Sequence, residues 1–468
     1  MFLPDIVRTV VERIKDRGGR PYFVGGSVRD WIHESIHGMR TLSKDLDIEV
    51  FGLGLDDLRS ALSEFGEVRG VGQSFGVLKL RLGDIELDVS LPRRESKAGK
   101  GHREFAVIPD GTMALVDAAR RRDYTMNALM WDSFALKLHD FFDGVEALHY
   151  KELKHVDDKT FVDDPLRVLR GMQMCGRFGL RAAERTLCLC RAMVDTYAEL
   201  TIERVWEEWE KWALKSQFPK LGLDFLVKSM WVHHYPEFAA IIGCEQDAKW
   251  HPEGDVYQHS VFAVGEAMYI ARRDTLSRHD SLVLIFAALC HDFGKSVTTI
   301  RDAEGRVSFP DHAFAGVPIA HTFLKRIGAL RMAAPVVAEV LPLVREHMCH
   351  IPWNGAIPTD RQLRRLATAL APSSIEALTR LTEADVSGRP PLQRGFPLEC
   401  ALARAREIRV NTLPPPRIIE GRHVLATFEN LKPGPEIGIR VNAAREAQLD
   451  GDFTDLDGGI SWLKLNFA

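Results

Sequence analysis

The sequence predicts an α+β N-terminal region that is followed by an all-α remainder. Strands are indicated only in about the first 150 residues, where apolar and polar residues alternate in "DLDIEVF" and "VLKLRLGDIELDVSL", as in half-buried strands. From about residue 160 onward the apolar residues recur at helical spacing, as in "TIERVWEEWEKWALK". A length of 468 residues exceeds what one hydrophobic core usually serves, so we expect several domains.

Four domains are expected along the chain. They are an α+β domain at 1–150, a helical domain at 151–240, a helical domain with scattered histidines at 241–390, and a helical C-terminal extension at 391–468. Two proline-rich segments, "GRPPLQRGFP" and "LPPPR", indicate linkers. The first lies at the boundary between the third and fourth domains, and the second lies within the fourth.

The composition is that of an ordinary globular protein, with 46% hydrophobic and 27% charged residues. The N-terminus reads as an amphipathic helix rather than a signal peptide, and the longest wholly apolar run, "LVLIFAALC", is too short to span a bilayer. Seven cysteines without a CxxC pair fit a reducing compartment. We therefore expect a cytoplasmic protein that does not engage a membrane.

The net charge of −4 gives no overall sign of a nucleic-acid partner, but basic residues are concentrated locally. The stretch 93–103, "RRESKAGKGHR", is basic, contains glycine and is poor in apolar residues, so we expect a mobile loop there. Such local patches matter more for phosphate binding than the total charge.

The strand "DLDIEVF" carries carboxylates on one face. Asp45 and Asp47 are two residues apart, which places their Cα atoms about 6.5 Å apart on the same side of a strand. Both can then reach one hard cation, and Mg²⁺ commonly takes one or two carboxylates together with substrate phosphates. Glu86 and Asp88 repeat this spacing on a hairpin predicted to turn at Gly83-Asp84, and Asp88 is the candidate third carboxylate.

A glycine pair precedes this strand in "YFVGGSVRD". Gly25 and Gly26 lie between a predicted strand and a helix start, where bare glycines let a phosphate approach the backbone N–H groups. Arg29, one turn later, can add a charge-assisted hydrogen bond. Together with the two aspartates, this corner predicts a nucleoside triphosphate site with Mg²⁺.

The motifs "YFVGGSVRD", "KDLDIEVFG", "RRRDYTMNAL", "DDPLRVLRGMQMCGRF" and "ERVWEE" follow one another in an order that resembles the class II tRNA nucleotidyltransferases. These are the CCA-adding enzymes, and the family includes bacterial poly(A) polymerases. The resemblance covers about residues 20–215. It implies a small head of the DNA polymerase β type, followed by helical neck, body and tail domains that hold the acceptor arm of tRNA.

The resemblance also implies roles for individual residues. It assigns Asp45 and Asp47 to the metal, Gly26 and Arg29 to the triphosphate, Arg122 and Asp123 to the nucleotide and its ribose, and Asp164, Arg167 and Arg170 to a helix that serves as an amino-acid template for the incoming base. An arginine fork donates hydrogen bonds and a carboxylate accepts them, so a fixed pair can read C and A while rejecting G and U. Asp164 and Arg167 are three residues apart and are expected to share a helix face.

The expected activity is therefore addition of CCA to the 3′ end of tRNA, with CTP and ATP as substrates. The full-length segment 93–110 disfavours a form that adds only CC, since the resemblance implies a shortened loop in that form. Addition of the terminal A alone and poly(A) polymerase activity remain open. A hydrolase whose head is only an RNA-binding module is the alternative from another class, and the intact aspartate pair argues against it.

A second group of metal-ligating residues lies in the helical region. "LCHDFGK" places His291 and Asp292 side by side at the end of an apolar helix, and both can serve a divalent cation. The series of histidines and aspartates along this region resembles that of the HD-domain metal-dependent phosphohydrolases. This resemblance assigns His259, His291, Asp292 and Asp385 to a four-ligand core, and His312 and His347 to the extra positions of two-metal variants, with His350 competing for the last.

The expected metal of this second site is a divalent transition metal or Mg²⁺, all of which accept nitrogen and oxygen ligands. Such a metal would supply the nucleophile that hydrolyses a phosphate ester. An HD module behind a nucleotidyltransferase head resembles one branch of bacterial CCA-adding enzymes and implies phosphodiesterase and phosphatase activity, while family poly(A) polymerases generally lack it. We expect it to trim 2′,3′-cyclic or 3′-phosphates and so to leave the 3′-OH that the head requires.

Overall fold

The computed structural model describes residues 3–38, 45–71, 77–97, 105–353 and 355–467. It divides into two compact units, which we call unit 1 (Met1–His234) and unit 2 (Tyr235–Ala468). The finer division into four domains stays a prediction.

Unit 1 contains a sheet and the first helices of the chain. Its strands are β1 (Arg20–Val24), β2 (Asp45–Phe51), β3 (Val68–Val71), β4 (Val77–Leu82), β5 (Ile85–Ser90), β6 (Arg93–Lys97), β7 (Phe105–Pro109), β8 (Met130–Asp132), β9 (Lys137–His139), β10 (Glu152–Leu153) and β11 (Arg181–Ala182). Its helices are α1 (Asp5–Asp16), α2 (Gly25–His37), α3 (Leu55–Ser63), α4 (Leu115–Arg120), α5 (Gly144–His149), α6 (Asp158–Phe161), α7 (Leu166–Phe178), α8 (Glu184–Ala192), α9 (Ile202–Lys215) and α10 (Pro219–Lys228), with 3₁₀ turns at Thr125–Asn127, Val194–Glu199 and Trp231–His234.

The main sheet has the strand order β3-β4-β5-β2-β1-β8-β9 among the described residues. Strands β2 and β5 run parallel, and their register places Asp45 opposite Glu86 and Asp47 opposite Asp88. The predicted hairpin is confirmed: β4 and β5 pair antiparallel, and Gly83 has a φ of 62°, a conformation that glycine adopts at little cost. The sheet thus brings the two acidic pairs side by side.

The expected loop at 93–103 is partly structured. Strand β6 pairs antiparallel with β7, so the loop expectation is wrong for residues 93–97, while residues 98–104 lie outside the described part of the chain. The sequence "FAVIP" of β7 contains residues that favour strands, and this partner orders a basic stretch that lacks a strand pattern of its own.

Unit 2 is almost entirely helical, with one short pair of strands at β12 (Ile300–Arg301) and β13 (Val307–Ser308). Its helices are α11 (Pro236–Ala239), α12 (Val256–Arg273), α13 (Arg278–Cys290), α14 (Lys295–Thr298), α15 (His312–Arg326), α16 (Ala329–Met332), α17 (Ala334–Glu346), α18 (Asp360–Leu370), α19 (Ile375–Ser387), α20 (Glu399–Glu407), α21 (Gly421–Thr427), α22 (Pro435–Asp450) and α23 (Leu456–Phe467), with a 3₁₀ turn at Ile351–Trp353. The expected fold class, an α+β N-terminal part followed by helices, is confirmed.

Helix α13 forms the centre of unit 2. Every residue from Ser281 to Cys290 is buried, and the helix packs against α12, α17 and α19. By length and composition alone the segment Arg278–Thr298 is apolar enough to cross a membrane, but 78% of its most apolar window is buried inside the protein. The apolar run therefore serves as a core helix, and its end carries the histidine-aspartate pair.

Candidate active sites

The glycine corner of unit 1 contacts the acidic strand β2. Gly25 has a φ of 65°, and a Cβ atom added to it would lie 3.0 Å from Asp47 Oδ2, so both the backbone and the space favour glycine. The backbone N–H of Gly26 donates a hydrogen bond to the Asp47 carboxylate. The start of α2 and the predicted metal ligand therefore form one continuous surface.

Asp47 lies in an environment that opposes its ionisation. Burial raises its pKa, the negative charge of Asp88 adds to this effect, and the positive charge of Arg122 opposes it. A divalent cation between such carboxylates would relieve this cost. Asp45 holds the register position opposite Glu86, and its side chain lies outside the described part of the structure.

The predicted third carboxylate has a lysine partner that the sequence analysis missed. Lys79 Nζ lies 2.9 Å from Asp88 Oδ1 and 2.8 Å from Glu86 Oε1. Lys79 stands directly opposite Asp88 in the hairpin, so the register of the predicted Gly83-Asp84 turn contained this signal. The charge of Asp88 is therefore partly neutralised by Lys79.

Two adjoining cavities, which we call the head cleft, meet at Asp47 and Arg122. One has a volume of about 260 Å³ and includes Asp88, and the other has a volume of about 400 Å³. The larger cavity gathers the remaining predicted residues of the head, namely Gly25, Gly26, Arg29, Asp123, Asp164, Arg167 and Arg170, together with Arg121, Asn127 and Arg204. Among the described side chains, the structure thus collects every predicted head residue around one cleft.

Arg29 and Asp123 anchor the floor of the head cleft. Arg29 is 4% exposed and donates to Asp30 Oδ1 (2.8 Å) and Asn127 Oδ1 (2.7 Å). Asp123 is also buried, and Arg170 Nε donates to its Oδ2 at 2.6 Å. Burial alone would raise the pKa of Asp123, but the Arg170 charge and the Asn127 hydrogen bond hold that pKa well below its usual range. These groups fix the cleft wall through internal bonds.

The predicted template pair, Asp164 and Arg167, lies at the head cleft. The prediction that both residues belong to a helix is wrong for Asp164. Helix α7 begins at Leu166 because Pro165 lacks an N–H and favours the start of a helix. Asp164 therefore precedes the helix, where its Oδ1 accepts a hydrogen bond from the Leu166 N–H at 3.1 Å. Arg167 donates to the backbone carbonyls of Thr160 (2.7 Å) and Arg121 (2.8 Å).

Arg204 on α9 is a cleft residue that the sequence analysis did not single out. Its Nη2 donates to Asp164 Oδ2 at 2.7 Å, so it holds the carboxylate from across the cavity. Arg204 belongs to the motif "ERVWEE", which was the available signal, but only tertiary structure brings it to Asp164.

A second site lies in unit 2, where six predicted ligands converge. His259, His291 and Asp385 form one group whose ligand atoms lie within 4.8 Å of one another, and Asp292, His312 and His347 form a second. We call this set of six residues the histidine–aspartate cluster. His350 belongs to neither group of the described residues.

Asp292 connects the two groups of the cluster. Its Oδ2 lies 3.3 Å from His291 Nε2, and its Oδ1 lies 3.3 Å from His312 Nε2. His259 Nε2 is 3.0 Å from Asp385 Oδ1, and His312 Nε2 is 3.2 Å from His347 Nε2. The Nε2 atoms and carboxylate oxygens thus face one another, as in a site for two cations with a bridging carboxylate.

The opposite nitrogen of each cluster histidine is held in place. The Nδ1 atoms of His291, His312 and His347 bond to the carbonyls of Ala288, Phe309 and Val344 at 2.8, 2.8 and 2.7 Å. Such second bonds fix the tautomer and ring orientation and leave Nε2 as the ligand atom. The donor set and its orientation therefore fit a divalent metal.

His259 differs because a carboxylate, rather than a backbone carbonyl, lies beside its Nδ1. Glu253 Oε1 lies 2.8 Å from Nδ1 of both His259 and His251, and the Glu253 side chain is fully buried. The sequence analysis missed Glu253, although "HPEGD" placed a carboxylate just before the helix that carries His259.

The charges of the cluster suit a cation. Burial opposes ionisation of Asp292, but the charges of His291 and Lys295 hold its pKa well below the usual range, and Lys295 Nζ lies 2.7 Å from its Oδ2. Burial, with the neighbouring His291 charge, lowers the pKa of His347 to about 3. An ionised Asp292 beside a neutral His347 is the state in which these two residues bind a metal. Burial would lower the pKa of His259, but the carboxylates of Asp385 and Glu253 outweigh it and raise that pKa to about 9, so a cation there would displace a proton.

The two sites and the fold define a nucleotidyltransferase head joined to an HD domain. Residues 21–154 match the poly(A) polymerase head domain, and residues 256–385 match the HD domain. The multifunctional CCA protein of Aliivibrio salmonicida is 30% identical over 382 residues, covering 80% of this chain and 86% of that protein. That of Acinetobacter baumannii strain SDF is 29% identical over 430 residues, covering 89% and 93%. The chain belongs to the multifunctional CCA protein family, and both resemblances drawn from the sequence are confirmed.

Solved structures agree in fold. The Bacillus stearothermophilus CCA-adding enzyme in complex with CTP has a TM-score of 0.64 at 18% identity, covering 99% of this chain and 98% of that chain. The Thermotoga maritima CCA-adding enzyme complexed with tRNA has a TM-score of 0.55 at 18% identity, covering 100% and 97%. At this identity the likeness concerns the fold alone.

Proposed function

We propose that this chain adds CCA to the 3′ end of tRNA, with CTP and ATP as nucleotide donors. The contact between Asp47 and the glycine corner, in a cleft lined by arginines, carries the proposal, since it joins a cation ligand to a phosphate-binding turn. Family membership and the names of the relatives support it.

In this proposal the head cleft binds the nucleotide by charge and backbone. The Gly25-Gly26 corner and Arg122 face the triphosphate, and the 3′-OH of tRNA replaces pyrophosphate on the α-phosphorus. Mg²⁺ on Asp45 and Asp47, with Asp88 nearby, would neutralise the charge that develops during this in-line transfer.

Base selection in this proposal rests on Asp164 and Arg167. The exocyclic amino groups of C and A donate hydrogen bonds that a carboxylate accepts, whereas G and U present a carbonyl oxygen at that position. Arg204 holds Asp164, and the carbonyls of Thr160 and Arg121 hold Arg167, so the pair is fixed before a nucleotide arrives.

The experiment that tests this function uses tRNA transcripts that end before the CCA or after CC. With labelled CTP and ATP we expect three added nucleotides on the first and one A on the second, and strongly reduced incorporation with Asp47→Ala. Growth restricted to the CC-ended transcript would identify an A-adding enzyme, and a long A tail would identify a poly(A) polymerase. No incorporation, with hydrolysis retained, would leave the head as an RNA-binding module.

We also propose that unit 2 hydrolyses phosphate esters at RNA 3′ ends. One water added across a P–O bond opens a 2′,3′-cyclic phosphate to a monoester, and a second releases inorganic phosphate and leaves a free 3′-OH. In this proposal His259, His291 and Asp385 would hold one cation, and Asp292, His312 and His347 would hold another. A divalent transition metal or Mg²⁺ would polarise the phosphate and supply the nucleophile.

The hydrolase proposal is tested with 2′,3′-cyclic AMP and the double variant His291→Ala/Asp292→Ala. We expect hydrolysis to be lost while CCA addition by the head persists, and a circular dichroism melt checks that unit 2 still folds. Hydrolysis that survives in the double variant would refute the proposal.

We further propose a cytoplasmic location, which agrees with the described cysteines being free thiols.

A further inference from the structure

A cavity of about 280 Å³ adjoins the histidine–aspartate cluster in unit 2. It shares His312 with the cluster, and its other lining residues include Phe309, Phe314 and Arg345. A group bound in this cavity would therefore lie next to a phosphate held by the cluster.

The walls of this cavity combine aromatic and apolar side chains with the charged Asp311, Arg345 and Glu346. Phe314, in the first turn of α15, is 62% exposed. Phe309 lies on the side of the cluster, with its ring centroid 6.4 Å from that of His312 and 5.1 Å from Lys295 Nζ. A single exposed phenylalanine is common on a protein surface. Here, however, it lines a cavity that opens beside predicted metal ligands, which is an arrangement that can stack a base.

Arg345, the basic group that could read base edges, is already bound within the protein. Arg345 Nε donates to Glu346 Oε1 at 2.8 Å, and its Nη2 donates to the Ala369 carbonyl at 2.5 Å. The cavity therefore offers shape and stacking more than a pattern of free donors. Stacking tolerates every base, because each base has a π-face.

We propose that this cavity binds the nucleobase of the nucleotide whose phosphate lies on the histidine–aspartate cluster, with Phe314 as the stacking residue. The proposal rests on the hydrolase function given above. One ribose separates the base from a 2′,3′-cyclic phosphate, so the base can reach only an adjoining cavity. The substrates of unit 2 are accordingly nucleoside phosphates of any base, free or at an RNA end.

The test compares two substrates that share a reacting group. One is 2′,3′-cyclic AMP, and the other is methyl riboside 2,3-cyclic phosphate, which lacks the base. In Phe314→Ala we expect the KM for 2′,3′-cyclic AMP to rise at least about fivefold, the loss expected for one stacked base, with kcat and the base-free substrate unchanged. Phe314→Trp should restore the KM. Phe396→Ala removes a phenylalanine that is 53% exposed outside the cavity and should change neither substrate.

Calorimetric binding of adenosine 3′-phosphate provides a readout that does not depend on turnover, and its affinity should fall in Phe314→Ala by the same factor. Hydrolysis of neither substrate by the wild type would refute the hydrolase function and this proposal with it. Suppose instead that the wild type hydrolyses both substrates, and that Phe314→Ala changes the two KM values equally or not at all. This result would overturn the base site and leave the hydrolase function standing.

Two further comparisons define the ligand. The KM values for the cyclic phosphates of adenosine, cytidine, guanosine and uridine should agree within a few-fold, and a strong preference for one base would overturn recognition by stacking alone. A short RNA with a 2′,3′-cyclic end should show the same dependence on Phe314. A loss confined to free nucleotides would assign the cavity to free nucleotides and overturn the RNA part of the proposal.

Discussion

Glu253 is expected to control metal binding although it is not itself a predicted ligand. Its buried carboxylate lies 2.8 Å from Nδ1 of His259, so Glu253→Gln keeps the shape but replaces a charged acceptor with a neutral one. The His259 ring then loses the negatively charged acceptor beside Nδ1, which favours electron donation from Nε2 to a cation.

The magnitude follows from the kind of bond removed. Loss of such an outer partner typically costs 10–100-fold in metal affinity, which corresponds to about 1.4–2.7 kcal/mol. We expect Glu253→Gln to weaken Mn²⁺ or Co²⁺ binding by this factor in calorimetric titration of metal-free protein. The absorption spectrum of bound Co²⁺ should change as well, since it reports ligand geometry.

Glu245→Gln is the matched control. Glu245 is an exposed carboxylate of the same region and pairs with Arg301, so its loss should leave metal affinity unchanged. Wild-type affinity and an unchanged Co²⁺ spectrum in Glu253→Gln would show that the charge of Glu253 does not influence metal binding and would refute the reasoning.

Three further predictions concern unit 1. Asp47→Ala should lower nucleotide incorporation by about 10²–10⁴-fold, the range expected when several kcal/mol of charge stabilisation is lost, while hydrolysis of 2′,3′-cyclic AMP stays at the wild-type rate; equal loss of both activities would indicate misfolding instead. Arg204→Ala frees Asp164 from a charge-assisted hydrogen bond, so CTP and ATP should bind about 10-fold more weakly and UTP misincorporation should rise; unchanged selectivity would contradict the role given to Asp164. Asp123→Asn removes the charge of a buried carboxylate whose partner, Arg170, is 36% exposed, and should lower the free energy of unfolding by about 1.5–3 kcal/mol at pH 7. The pKa of Asp123 is depressed in the folded protein, so its stabilisation is present above the ordinary Asp pKa of about 4 and is lost as the pH falls through the folded pKa. The free energies of unfolding of the wild type and Asp123→Asn, measured by denaturant titration, should therefore converge in acid. A difference that stays constant with pH would exclude the ion pair as the cause.

Local patterns predicted much of the head cleft. The two-residue spacing of Asp45 and Asp47 and the turn at Gly83 depend only on strand alternation and turn chemistry. The hairpin register then places Lys79 opposite Asp88, so this contact could also have been predicted from the turn position. The position of Asp164 before the helix was equally readable from Pro165.

Contacts across the fold were not readable from local patterns. Arg204 reaches Asp164 from a helix 40 residues away, and the ordering of 93–97 depends on the partner strand β7. Glu253 lies outside regular structure, where neither helical nor strand periodicity assigns a direction to its side chain. These interactions are set by how elements pack, which no single segment specifies.

Three of the four cluster histidines donate their second hydrogen bond to the carbonyl three residues earlier in the chain. Since that acceptor is part of the main chain, exchange of nearby side chains does not alter which nitrogen of His291, His312 or His347 carries the proton. Only His259 relies on a replaceable side chain. Engineering of this domain for a different metal therefore has one natural point of adjustment, the Glu253–His259 pair, while the remaining imidazoles hold their orientation.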